Sequence, residues 1–135
     1  MTPTGPTFFV SLRYRDARKA LQWLSDAFGL ERGDVYPEEG STVDHAEMFL
    51  GTGGVMFGSV GNPNDYGIEA SDAHETHGIY AAVDDVDAHY ARARAAGAEI
   101  VRDLRDTEYG SREYTARDFE GHLWSFGTYA PKRPT

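Results

Sequence analysis

Three pairs of residues recur at one spacing: Asp16 and Asp84, Gly29 and Gly97, and Gly53 and Gly121 all lie 68 positions apart. Each pair punctuates the chain in the same way. An Asp before an apolar helical stripe accepts a hydrogen bond from an otherwise unpaired N–H at the helix start. A Gly after that stripe takes the left-handed conformation that ends a helix. A second Gly precedes the last strand pattern of each half. Single Asp caps and Gly stops are common. Three at one offset, with strand, helix and three strands repeating in order, predict duplication of one supersecondary unit. The fold class is therefore α+β, built from two tandem βαβββ modules.

In module one, about 8–60, Phe8 to Tyr14 alternates as a strand with one buried face. Asp16 caps a helix carrying Ala17, Ala20, Leu21, Leu24, Ala27 and Phe28 at helical spacing, and Gly29 ends it. Strands follow at about Leu30 to Tyr36, Val43 to Leu50 and Gly54 to Val60. Residues 61–76 are polar and rich in turn formers, which marks a linker and a candidate lid. Module two, about 77–129, restarts with His77 to Val83. Asp84 is the expected cap of a helix with Val86, Tyr90, Ala93 and Ala96 on one stripe, closed by Gly97. Strands follow near Glu99 to Arg102, Arg112 to Arg117 and His122 to Thr128. Met1 to Pro6 and Pro131 to Thr135 read as tails.

The 135 residues suit one domain, 1–135, that buries roughly two-thirds of the surface its unfolded chain exposes. No apolar run is long enough to span a membrane, and the first residues lack the pattern of a signal peptide. The expectation is a cytoplasmic protein that does not engage membrane. The chain has no cysteine, which excludes disulfides, thiol catalysis and zinc–thiolate sites. A net charge of -9 without a Lys/Arg cluster argues against nucleic acid. Arg92 to Arg94 and the alternating run Arg102 to Asp106 read as solvated surface.

YRDARKALQWLSDAFGLE, HAEMFLGTGGVMFGS, HGIYAAVDDVDAHYARARAAGAEI and RDFEGHLWSFGTY, in that order, resemble the vicinal oxygen chelate superfamily. Within it they are most similar to the glyoxalase-like and bleomycin-resistance-like branch. The resemblance runs from about Phe8 to Tyr129. It implies that the modules form a curved mixed sheet around a cavity, with the helices on the convex side, and that the protein is a homodimer.

Period-2 alternation assigns the faces, with the apolar side of each strand turned to the helices. Phe9, Ser11 and Arg13 of the first strand then face the cavity, with His45, Glu47 and Phe49 of the third. On the fourth, Val55, Phe57 and Ser59 are assigned inward. Gly78, Tyr80 and Ala82 follow on the fifth, and Leu123, Ser125 and Gly127 on the last. The candidate ligand-binding set is Phe9, Ser11, Arg13, His45, Glu47, Phe49, Phe57, Tyr80 and Ser125. A mostly apolar concavity with a few polar groups suits a small molecule. The alternative is that these aromatics fill a closed core.

Metal-dependent relatives place His or Glu at four inward positions, which fall here on Phe9, Met56 or Phe57, Gly78 and Ser125. Phe and Gly offer no lone pair, a thioether is too soft and a Ser hydroxyl is a poor ligand. A one-residue slip that brought His77 into the Gly78 position would turn Ile79, Ala81 and Val83 away from the helix. His45 and Glu47 are the one His–carboxylate pair within a strand pattern that puts both on one face, one donor short of a usual catalytic site. The sequence therefore predicts no metal and no cofactor. Glu47 can pair with Arg13, or act as a general base beside His45; these two are the catalytic candidates. No GxSxG occurs, and GTGG is a turn with no helix after it to hold phosphate.

The favoured reading is a metal-independent small-molecule binding protein of the bleomycin-resistance type, sequestering a drug or metabolite. The alternatives are a lyase, isomerase or dioxygenase-type enzyme of the same superfamily, and a ligand-free interaction module.

Overall fold

The computed structural model describes residues 5–61 and 77–131. The predicted linker, apart from Gly61, and most of each tail lie outside them. The chain divides into two compact units, Met1–Asp72 and Ala73–Thr135.

The first unit runs β1 (Val10–Tyr14), α1 (Ala17–Phe28), β2 (Glu31–Tyr36), β3 (His45–Leu50) and β4 (Gly53–Ser59). Its sheet has the order β1-β4-β3-β2, with β1 parallel to β4 and the other pairs antiparallel. The helix forms as the sequence predicts. The Asp16 carboxylate accepts the Lys19 N–H at 3.0 Å, and all six residues of the predicted stripe are buried. Gly29 closes it at φ 77°, its N–H donating to the Ser25 carbonyl while Leu30 N–H reaches back to Leu24. These two bonds satisfy carbonyls that the helix end leaves open. The helix lies against β1, β2 and β4. Arg18, on its exposed side, donates to the carbonyls of Pro37, Glu38, Gly40 and Thr42, tying down the loop between β2 and β3.

One expectation about β4 is overturned. Val55 stands opposite Met48 and Phe57 opposite Ala46, and residues directly opposite in an antiparallel pair share a face. Val55, Phe57 and Ser59 therefore belong to the buried face with Tyr14, Ala46 and Met48. Phe57 packs edge-on against Tyr14, ring centroids 5.2 Å apart. Gly54, Met56 and Gly58 take the other face.

The second unit repeats the plan: β5 (Ile79–Ala82), α2 (Val86–Ala95), β6 (Glu99–Asp106), β7 (Arg112–Arg117) and β8 (Leu123–Gly127), in the order β5-β8-β7-β6. Here β5 is parallel to β8, and Ile79 and Ala81 stand beside Trp124 and Phe126, as the alternation predicts. The cap of α2 is Asp85, not Asp84: its carboxylate accepts the Ala88 N–H at 3.1 Å. The spacing from first strand to cap is thus the same in both modules, Val10 to Asp16 and Ile79 to Asp85, and the second module is the shorter one between its cap and Gly97. Strand β6 also runs on to Asp106, past the predicted end at Arg102. It is an edge strand, where one ladder and one face meet water, so the charges of Arg102 to Asp106 are compatible with strand.

The buried face of this sheet is aromatic. Trp124, Tyr114 and Phe126 are all at most 2% exposed. Phe126 stacks between Trp124 and Tyr114, with centroids at 6.1 and 5.4 Å. His89 of α2 lies 4.1 Å from the Phe126 ring and its Nδ1 meets the Tyr114 hydroxyl at 2.6 Å. Burial pushes the Tyr114 phenol well above its ordinary range. A raised folded-state pKa means that this tyrosine's contribution is whole below about pH 10 and is lost as the pH climbs past it. Urea midpoints measured across the alkaline range should fall as pH rises, and Tyr114→Phe should flatten that fall. An unchanged slope in the variant would place the titration elsewhere.

Candidate functional site

In the first unit, the face of the sheet opposite the buried one carries Ser11, Arg13, His45, Glu47 and Phe49. Ser11, Met56 and Glu47 form one row across β1, β4 and β3. His45 Nε2 and Glu47 Oε2 are 2.9 Å apart. Glu47 thus pairs with its neighbour two residues along the strand, and not with Arg13, the alternative the sequence allows. Arg13 is 6% exposed, and its Nη1 donates to the Leu12 carbonyl at 2.8 Å. The Phe49 ring lies over Gly33 and Gly54, where a Cβ would stand 2.7 and 2.8 Å from it. Phe9 stands exposed just before β1. Phe57 is not on this face.

The second unit builds a concavity of about 710 Å³, lined by Gly78, Ile79, Tyr80, Tyr109, Glu113, Ser125, Tyr129 and Pro131. Of the residues singled out in the sequence, Tyr80 and Ser125 are brought together here. They are direct neighbours across β5 and β8. The Ser125 hydroxyl is engaged by Thr115 at 2.8 Å.

Gly127 makes room for the site. A Cβ there would fall 2.7 Å from the Tyr80 hydroxyl and 2.6 Å from Glu113 Cγ. The Tyr80 side chain therefore lies across the end of β8 and donates its hydroxyl to the Tyr129 carbonyl at 2.6 Å. Tyr109, in the turn between β6 and β7, donates to both Glu113 oxygens, at 2.9 and 3.0 Å. Its ring meets that of Tyr129 edge-on at 5.9 Å. The phenols of Tyr80 and Tyr109 are held above their ordinary range. For Tyr109 the main cause is the bond it donates to the Glu113 carboxylate. For Tyr80 it is burial, reinforced by the charge of Glu113. Each hydroxyl stays protonated at neutral pH and is already spent within the site. The rings of Tyr80, Tyr109 and Tyr129, at 39%, 63% and 48% exposure, are what the site offers a ligand.

Tyr109, Glu113 and Tyr129 were not anticipated. Glu113 was within reach of the sequence, because alternation from Tyr114 and Ala116 places it opposite the buried face. Tyr109 and Tyr129 lie outside strands, where no period assigns a face.

The donor chemistry does not fit a divalent ion. The pairing of β1 with β4 identifies Met56 as the β4 residue on the Ser11 face, and with Phe9, Gly78 and Ser125 it offers no His or carboxylate. Among the described residues no three His, Cys, Asp or Glu side chains come together as a metal group. The His45–Glu47 pair supplies two donors.

The model of the Glyoxalase/Bleomycin resistance protein/Dioxygenase superfamily matches residues 8–126. Among solved structures, TioX from Micromonospora sp. ML1 is 37% identical, with a TM-score of 0.78 over 93% of this chain and 100% of that one. Hypothetical protein SA1046 from S. aureus is 16% identical, with a TM-score of 0.72 over 91% and 93% of the two chains. The fosfomycin resistance protein FosX from Listeria monocytogenes, complexed with Mn(II) and sulfate ion, is 15% identical, with a TM-score of 0.63 over 96% and 95%. These last two likenesses are of fold alone. No curated protein matches the chain.

Proposed function

Because the chain belongs to the Glyoxalase/Bleomycin resistance protein/Dioxygenase superfamily, we propose that it is a binding protein that takes up a small aromatic molecule reversibly, without a metal ion. The observation that carries this reading is the tyrosine-lined concavity of the second unit. Its volume falls in the range of small-molecule sites, and its lining is largely apolar with a few placed polar groups. Rings with two torsions each give contact area at little entropic cost, and aromatic pairs add attraction beyond the area buried.

The test is calorimetric titration of chelator-treated protein with quinoline and its N-methylated cation. At least one ring should bind, and Tyr80→Ala should weaken it about tenfold, the loss expected for one aromatic contact. Absence of heat with both rings, or binding only after Mn(II) is restored, would overturn the reading.

The 2.9 Å His45–Glu47 contact favours a second reading, acid–base chemistry on the open face of the first unit. It predicts turnover that is lost in Glu47→Gln while ring binding in the other unit persists.

A further inference from the structure

Resting on the proposed concavity, we infer that its ligand is a planar organic cation, recognised by the Glu113 carboxylate within the three tyrosine rings. Two observations converge. The first is chemical. Glu113 lines the concavity, and its hydrogen-bond partner is a neutral phenol, Tyr109. A phenol steadies the carboxylate without cancelling its charge. Among the described residues no arginine forms an ion pair with that carboxylate, although the charge of Arg105 reaches Tyr109 beside it. Arg112 is committed to Asp87 and Asp106. Arg105, opposite Glu113 in the strand register, makes no ion pair with it among the described residues.

The second observation is the rings themselves. An aromatic face carries negative electrostatic potential, so it attracts a cation within about 6 Å of its centroid more strongly than a neutral ring of the same shape. Tyr80, Tyr109 and Tyr129 line one concavity together with the carboxylate. The hydroxyls of Tyr80 and Tyr109 are occupied by Tyr129 and Glu113, so those two rings hold fixed positions. A carboxylate and several π-faces around one space select positive charge and flat shape together. The chain's net charge of -9 favours approach of the same ligand from solution.

Quinoline and N-methylquinolinium have the same ring system and differ by an N-methyl group that fixes a positive charge on it. At neutral pH the cation should bind about tenfold more tightly than the neutral ring, in the range of a desolvated cation–π contact with a nearby carboxylate. Added salt should weaken the cation and leave quinoline unchanged. In Glu113→Gln, whose amide oxygen can still accept from Tyr109, the ratio of the two affinities should fall toward one. Equal binding of the two rings by the wild-type protein would overturn the inference and leave the binding function standing. No binding of either ring would overturn both. A ratio unchanged in Glu113→Gln would remove Glu113 from the recognition of charge.

Discussion

Trp124→Ala should destabilise the protein by about 3–5 kcal/mol, the range for emptying a fully buried aromatic position. Trp124 is 2% exposed, stacks on Phe126 and stands beside Ile79 and Ala116 in the strand register. Its indole N–H also donates to the Asp118 carboxylate at 3.1 Å. That carboxylate is 4% exposed and accepts the backbone N–H groups of Glu120 and His122, which shape the turn before β8. The substitution therefore removes a ring from the core and a donor from a buried charge together. Trp124→Phe separates the two: it keeps a ring on Phe126 and loses the donor, and should cost about 1.5–3 kcal/mol. Against a whole-domain stability of about 5–15 kcal/mol, the alanine variant should shift the urea midpoint strongly. A loss below about 1 kcal/mol for alanine would mean that this face is not packed as described.

Gly127→Ala should damage the site more than the fold. The added Cβ would stand 2.6 Å from Glu113 Cγ and 2.7 Å from the Tyr80 hydroxyl, with the Ser111 hydroxyl at 3.2 Å. Real contacts of this kind are not that short, so both side chains must leave their positions. Overpacking of this sort costs about 1–3 kcal/mol. The heavier effect falls on recognition, because the displaced groups are the carboxylate and one ring of the concavity. Affinity for N-methylquinolinium should fall at least tenfold, about 1.4 kcal/mol. Gly53→Ala is the control, since a Cβ there meets nothing within 4 Å. It should leave both stability and binding close to wild type. Wild-type affinity in Gly127→Ala would show that Tyr80 and Glu113 do not act from the positions they hold.

The sequence was most legible where one periodicity acted alone. The α1 stripe is buried residue for residue, because a surface helix has one apolar face and local capping at each end. Gly29 and Gly97 both take positive φ, at 77° and 92°, where a side chain would strain the backbone. Legibility failed where both faces of a strand were apolar. Gly54, Val55, Met56 and Phe57 give no alternation of polarity, and only the pairing with Met48 and Ala46 assigns Val55 and Phe57 to the core. It failed again at Asp84 and Asp85, adjacent and chemically equal, where only the strand register shows that Asp85 keeps the spacing from first strand to cap that Asp16 has in module one. The concavity depended on a turn tyrosine and a tyrosine past the last strand, residues whose places are fixed by tertiary contacts with Glu113 and Tyr80 and by no local pattern.

The parallel pairing of first with last strand has a consequence for synthesis of the chain. Val10 finds its partner in Val55, and Ile79 in Trp124. In each unit the opening strand emerges from the ribosome well before the strand that completes it. Closing so long a loop carries an entropic cost that no earlier hairpin in the unit repays. Strands β2 to β4 can pair as they appear, while β1 waits without its ladder partner until β4 is made. Each half of the protein should therefore gain protection from proteolysis in one step, when its fourth strand arrives. A stalled nascent chain that ends within β3 should be cut readily near its N-terminus, and one that exposes β4 should not.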